Sequence, residues 1–205
     1  DFLAVSELFL SETAELADVI LPAASFAEKR GTKTATDRRV QWFDQAIEPR
    51  GETLPDWQIL CQLASRLGLS RAFRYEGPED ILAEVNRVTP SYAGITPRRV
   101  RATRGGIPWP CPTPDHPGTP TLYVNGFNKP DGRGVVTPVN YQPPFEATSE
   151  EYPLLLTTGR VVMHYNSGTM TRRTRSLQQR EPQLFLQLNP VTAQRLGVLD
   201  GKWVQ

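Results

Sequence analysis

The residues best suited to chemistry lie in Leu154–Arg175, LLLTTGRVVMHYNSGTMTRRTR, where an apolar run empties into hydroxyls, glycines, a histidine and arginines. Gly159 lets a backbone approach a ligand closely, the Thr157 and Thr158 hydroxyls donate to oxyanions, and Arg160 forks onto phosphate or a base edge. Two further hydroxyls flank Gly168 in SGTMT, where clustered amides can form an anion nest. The alternative is a strand, a glycine turn and a solvated basic loop. Neither GxxxxGK[ST] nor GxGxxG is present to decide between them.

Other candidates are weaker. Lys29, Arg30, Lys33, Arg38 and Arg39 in AEKRGTKTATDRRVQ can line an anionic pocket, although such a run usually forms a solvated loop. Asp56 opens a helical pattern, where a carboxylate is more often a cap than a ligand contact. His116 and His164 have no partner motif and read as hydrogen-bonding or structural groups. RRVRATR carries Arg98, Arg99, Arg101 and Arg104 without an interleaved stacking pattern, so no nucleic-acid partner is expected. No nucleophile–base pair or paired-carboxylate site is legible.

The elements that must position these residues fall into three parts. Residues 1–88 alternate short apolar runs with helical patterns, which predicts an α/β layer. FLAV reads as a strand, Ser11 as an N-cap, and VIL before Pro22 as a buried run. PDWQILCQLASRLG repeats Trp57, Leu60, Leu63, Ala64 and Leu67 at helical spacing before Gly68, and Ile81, Leu82, Val85 and Val88 share one face of the next helix. Residues 89–150 are different, because twelve of the nineteen prolines fall between Pro90 and Pro144. That predicts an ordered, packed, irregular connection with neither helix nor central strand. Residues 151–205 predict strands at YPLLLTTGR and QLFLQLN, then a short helix with Asn189 as cap, Pro190 in its first turn and Gly197 at its end.

Bulk properties exclude little else. The 205 residues carry 23 basic and 22 acidic side chains, so no whole-chain affinity for nucleic acid or membrane surfaces is implied. No run approaches the ~20 apolar residues of a membrane span. Cys61 and Cys111 are far apart, form no CxxC pair, and fit ordinary thiols of a reducing, cytoplasmic compartment. The sequence opens without methionine as though inside a strand and stops just after the Asp200-Gly201 turn, which reads as an internal fragment of a longer chain.

Taken in order, SELFLSETAELADVILPAASFAEKRGTKTATDRRVQ, PDWQILCQLASRLG, WPCPTPDHPGTPTLY, EYPLLLTTGRVVMHYNSGTMTRR and NPVTAQRLGVLDG resemble the molybdopterin oxidoreductases of the dimethyl-sulfoxide-reductase superfamily. The resemblance runs from residue 1 to 205 and is nearest to the catalytic subunit of formate dehydrogenases. Assimilatory nitrate reductases share the WPCP..DHPGTP and TTGR blocks, but HYNSGTMTRR looks more like the formate dehydrogenase version.

The resemblance implies part of a Rossmann-like α/β cofactor domain over 1–88, a proline-rich connection over 89–150, and over 151–205 the start of a six-stranded double-psi β-barrel that binds the molybdopterin dinucleotide. It implies bis-molybdopterin guanine dinucleotide carrying molybdenum or tungsten, with a cysteine or selenocysteine on the metal. A [4Fe–4S] cluster would lie in an N-terminal part outside this sequence. The substrate would be formate, alternatively nitrate, and an electron-transfer subunit or carrier would be the partner. A non-catalytic subunit retaining the fold is a third reading. Catalytic residues and metal ligands of the family lie outside the sequence. The cofactor contacts carried over are Ser6, Glu7, Lys29 and Asp56, then Thr158, Gly159, Arg160, Val161, Val162, His164, Asn166 and Ser167. Three positions depart from the family pattern: Glu7 stands for an aspartate, Arg30 for the second glutamate of Glu-Lys-Glu-Gly, and Asn166 for the second histidine of His-Tyr-His.

Overall fold

The structure is a computed structural model that describes residues 1–204. The chain divides into two compact units, Asp1–Asn140 and Tyr141 onward. The first begins with β1 (Ala4–Glu7), α1 (Glu12–Glu15) and β2 (Val19–Pro22). Ser11 caps α1 as expected, its hydroxyl accepting from the Ala14 amide at 3.3 Å. The two strands pair in parallel from Ala4↔Val19 to Glu7↔Pro22, with α1 in the crossover. The VIL run is not buried as expected: Val19 and Ile20 are 39% and 42% exposed. Among the described residues this sheet has two strands, so no third strand flanks them.

The basic stretch expected to be a loop is a hairpin. A 3-10 turn at Phe26–Glu28 leads into β3 (Gly31–Thr34), which pairs antiparallel with β4 (Arg39–Phe43) from Gly31↔Phe43 to Thr34↔Val40. Alternation decides the outcome, because β4 sinks Val40 into the core while its neighbours Arg39 and Gln41 stay at least partly in solvent. The chain reverses through Arg38, whose φ of 66° is rare for a residue with a side chain.

α2 (Asp56–Arg66) and α3 (Pro78–Val88) form where helical spacing predicts them. Gly68 follows α2 at φ 77°, where a left-handed conformation terminates the helix and a side chain would be strained. The expected apolar face of α2 is mostly uncovered: Ala64 is buried, but Leu60, Leu63 and Leu67 are 49–66% exposed. On α3, Leu82 is buried and Val88 is exposed.

The proline-rich segment departs most from expectation, because it supplies the core. α4 (Pro97–Ala102) starts on a proline, which costs nothing in the first turn, and Thr96 caps it by accepting from the Arg99 amide. β5 (Ile107–Pro108) then adds to β4 through Val40↔Ile107. Ile95, Val100, Ile107 and Cys111 are at most 1% exposed and pack with Val40 and Leu82. Trp109 closes this cluster against Tyr92, ring centroids 5.9 Å apart, and donates its indole N–H to Ser91.

Two arginines tie this segment down. Arg38 donates to the carbonyls of Trp109, Thr119 and Pro120, and Arg99 to those of Gly94, Thr113 and His116 and to the Cys111 sulfur. His116 is a local acceptor, its Nδ1 taking the Gly118 amide at 3.0 Å.

In the second unit the structure forms a 3-10 turn at Thr171–Arg173, α5 (Arg175–Arg180) and α6 (Pro190–Leu196). Asn189 caps α6, accepting from the Val191 amide at 2.9 Å, and Gly197 ends it at φ 68°. The strands expected at YPLLLTTGR and QLFLQLN are not formed among the described residues. Leu155 and Leu184 stand 69% and 89% exposed.

Candidate functional site

In the first unit the expected residues gather around the ends of three elements. Ser6 and Glu7 close β1 and align with Leu21 and Pro22 of β2, at the carboxyl end of the parallel pair. Ligands of open parallel sheets bind at that end. Glu7 turns its carboxylate onto the next amide, Leu8, at 2.8 Å. Beyond β2 the chain bridges in parallel from Ala23 to Leu54, and the Ala24 amide donates to the Leu54 carbonyl at 2.9 Å. Leu54 lies two residues before α2, so this bridge ties the start of that helix to the end of the sheet.

Lys29 and Asp56, 27 residues apart, meet directly. Lys29 Nζ donates to Asp56 Oδ2 at 2.6 Å. Asp56 is the first residue of α2 and Pro55 holds the cap position, so the expected cap role gives way to an ion pair. The carboxylate still faces the positive end of the helix dipole. An ammonium has three protons and a carboxylate two oxygens, so both groups keep capacity for a ligand.

A residue that sequence reading passed over sets this geometry. Glu28 is 6% exposed and spends both carboxylate oxygens on backbone amides, Ser25 at 2.7 Å and Arg50 at 3.0 Å. The Ser25 amide is the chief reason its carboxyl titrates below the ordinary glutamate value. Glu28 thereby fixes the backbone immediately before Lys29. Beside it lies a cavity of about 260 Å³ lined by Lys29, Arg30, Gln45, Thr53, Trp57 and Gln58 among others. Thr53 Oγ1 in its wall is buried without a hydrogen-bond partner, a condition a bound polar group would relieve.

The other cations of the basic run do not share this cavity, except Arg30. Arg30 pairs with Glu79 at 3.3 Å, Arg39 with Asp37 at 3.0 Å, and Arg38 is committed to the carbonyls named above. Arg101 lies 4.5 Å over the Trp42 ring and bridges Glu79 and Asp44.

In the second unit Thr158, Gly159, Arg160 and Val162 are exposed, with Val161 half-buried. Gly159 has no atom within 4 Å of where a Cβ would stand and no left-handed φ, so neither packing nor backbone requires glycine there. His164 is 6% exposed, and both ring nitrogens have protein partners: Nδ1 faces Thr171 Oγ1 at 3.2 Å and Nε2 the Glu181 carbonyl at 2.8 Å. Since a carbonyl can only accept, Nε2 carries the proton in the neutral ring. Asn166, where the resembled pattern has histidine, sits at φ 52°, a conformation asparagine tolerates better than most residues. Ser167 is exposed and its hydroxyl contacts that of Thr169 at 3.1 Å. Among the described residues no cluster of three or more histidine, cysteine or acidic side chains is arranged for a metal ion. No described helix is long and apolar enough to cross a membrane.

Comparison with known proteins gives family matches. Residues 1–66 match the family model for molybdopterin oxidoreductase, and residues 154–205 that for the molydopterin dinucleotide binding domain. The chain therefore carries a molybdopterin oxidoreductase domain match at one end and a molydopterin dinucleotide binding domain match at the other. It is 45% identical over 205 residues to the F420-dependent formate dehydrogenase 2 subunit alpha of Methanococcus maripaludis, covering the whole of this chain and 30% of that protein. The assimilatory nitrate reductase catalytic subunit of Bacillus subtilis is 42% identical over 97% of this chain and 29% of its own length. Among solved structures, acetylene hydratase from Pelobacter acetylenicus superposes with a TM-score of 0.68 over 99% of this chain and 29% of that one, at 22% identity. That likeness is one of fold, a mixed α/β arrangement. The chain spans about 30% of the length of the curated relatives it matches.

Proposed function

We propose that this chain is part of a molybdopterin oxidoreductase catalytic subunit that oxidises formate to carbon dioxide, and that its own share is to hold bis-molybdopterin guanine dinucleotide. The observation that carries the reading is the alignment of the whole chain with a formate dehydrogenase alpha subunit at 45% identity. When bound, the molybdenum or tungsten cofactor supplies the two-electron redox chemistry.

The chain's residues bind and orient. Lys29 has two ammonium protons beyond the one given to Asp56, and these suit pyrophosphate oxygens. Asp56 Oδ1 suits a guanine N–H or a ribose hydroxyl. The cavity beside Lys29 and the unpartnered Thr53 hydroxyl fit a polar, anionic guest. In the second unit the exposed Thr158 and Arg160 flank Gly159, where a backbone can be approached without a side chain in the way, and Ser167 offers a further exposed hydroxyl along the same stretch. His164, with both nitrogens engaged, would act by holding this loop in shape. The cluster, the metal ligand, the electron-transfer partner and the rest of a double-psi barrel belong to the same reading and lie outside this chain.

The experiment uses the complete protein, assayed for formate-dependent and for nitrate-dependent dye turnover, with molybdenum and tungsten measured. Formate turnover is expected. Nitrate turnover without formate turnover would move the assignment to the second relative's reaction, and no turnover with full metal content would point to a non-catalytic role. Arg160→Ala should lower cofactor occupancy, because a charge-assisted hydrogen bond contributes roughly 1.5–3 kcal/mol. Metal content equal to wild type would remove Arg160 from the grip.

A further inference from the structure

A second anion site is carried by the turn that follows α2. Arg71, Arg74 and Arg87 line a groove of about 330 Å³ together with Tyr75, Asp80 and Glu84. Its two acids are already engaged. Asp80 Oδ2 accepts the Glu76 and Gly77 amides at 2.8 and 3.3 Å, capping α3, and Glu84 Oε2 accepts the Tyr75 hydroxyl at 2.8 Å with Arg87 at 3.8 Å. Arg71 and Arg74 have no hydrogen-bond or ion-pair partner among the described residues. Their guanidiniums bring ten N–H donors to one groove, and each fork matches the spacing of phosphate oxygens.

The turn is built to hold them. The Leu69 amide closes back on Ala64 at 2.8 Å and the Ala72 amide on Leu69 at 2.9 Å. Phe73 and Tyr75 meet edge to face, centroids 6.4 Å apart, with Arg74 between them in sequence. Tyr75 stays a neutral phenol well above physiological pH, because it donates to Glu84. The groove is lined from the turn after the C-terminal end of α2 and from α3, whereas Lys29 and Asp56 meet at the N-terminal end of α2. Apart from Tyr75 its lining is charged or small, so it suits a hydrophilic, multiply charged guest.

We infer that the groove between the Arg71–Tyr75 turn and α3 binds a small phosphate-bearing anion through Arg71, Arg74 and Arg87. The site stands independently of the redox assignment. Its test is calorimetric titration of the complete, cofactor-loaded protein with pyrophosphate at low salt. Wild type should show saturable binding that weakens about tenfold or more when Arg71→Gln and Arg74→Gln are combined, since two charge-assisted contacts are lost. Arg98→Gln, at another exposed arginine, should leave it unchanged, and Glu84→Gln should tighten it by removing a nearby negative charge. No saturable binding in wild type, equal weakening by Arg98→Gln, or full affinity in the double variant would each overturn the proposal.

Discussion

Arg99→Ala tests the role of arginine in organising the first unit. Arg99 projects from α4 and donates to the carbonyls of Gly94 at 2.9 Å and His116, with longer contacts to the Cys111 sulfur at 3.2 Å and the Thr113 carbonyl at 3.4 Å. Two good charge-assisted bonds are worth roughly 3–6 kcal/mol if nothing replaces them, and water reaching a half-buried site reduces that to about 2–4 kcal/mol. The loss should appear locally, so the assay is amide hydrogen exchange in the complete protein. The reporters are the amides of Cys111, bonded to Ser91 at 2.7 Å, and Thr119, bonded to Pro108 at 3.0 Å. At 1.36 kcal/mol per factor of ten, their protection should fall by about thirtyfold to nearly a thousandfold. Arg98→Ala, at an exposed neighbour on the same helix, removes the same charge and should stay within about 0.5 kcal/mol. Equal losses from both substitutions would show that charge or helix propensity is responsible, and the hub reading would fail.

Three other perturbations separate causes that the fold combines. Gly94→Ala would place a Cβ 2.0 Å from the Thr113 carbonyl oxygen and 2.8 Å from the Cys111 sulfur, so the backbone must move. It should cost about 1–3 kcal/mol or more, read as a lower denaturation midpoint at unchanged slope. Gly159→Ala meets no atom and should leave that midpoint alone while lowering cofactor content if the backbone there approaches the dinucleotide; a stability loss would contradict the open surroundings of Gly159. Asp44 titrates below its ordinary value because the Trp42 indole N–H donates to it at 2.8 Å and Arg101 lies nearby. Its contribution to stability is therefore complete above the unfolded carboxyl value near 3.8 and lost as pH falls through the lower folded value. The stability gap between wild type and Asp44→Asn should accordingly be present at pH 7 and close on acidification toward pH 2, and a constant gap would refute the cause.

Helix ends were the most legible part of this chain. Ser11, Asn189, Pro190, Gly68 and Gly197 act where their local chemistry says they should, because capping depends on neighbours within a few residues. The hairpin at Gly31–Phe43 was hidden by its charges, which masked its buried apolar side chain, Val40, and the half-buried Trp42 beside it on the core cluster. The Lys29–Asp56 pair spans 27 residues, so spacing says nothing of it, and only family resemblance put the two in one site. Glu28 carried only a local signal, the Ser25-x-x-Glu28 capping-box spacing, which says nothing of its burial. A buried acid is identified by the amides it meets, Ser25 and Arg50, and the second of these comes from a separate loop. Apolar runs at Leu154–Leu156 and Leu184–Leu186 read as strands, yet a strand exists only with a paired neighbour, which no single run can encode.

Donor arithmetic accounts for the rest of what the sequence concealed. Residues 108–120 hold thirteen carbonyls, but six of the thirteen are prolines, which leaves seven amide donors. A packed segment so short of donors must import them, since buried carbonyls without partners are costly. From outside, Arg38 serves Trp109, Thr119 and Pro120, Arg99 serves Thr113 and His116, and the Gly94 amide serves Cys111; within the segment the Thr119 hydroxyl serves Pro110. Arginine suits the task because one planar group reaches several carbonyls and never loses its charge. Basic residues that look like anion ligands in the sequence are thus divided by the proline content of a distant segment. Those facing the donor-poor block are consumed by it. Lys29, Arg71 and Arg74 donate to none of its carbonyls, and these retain protons to offer a ligand.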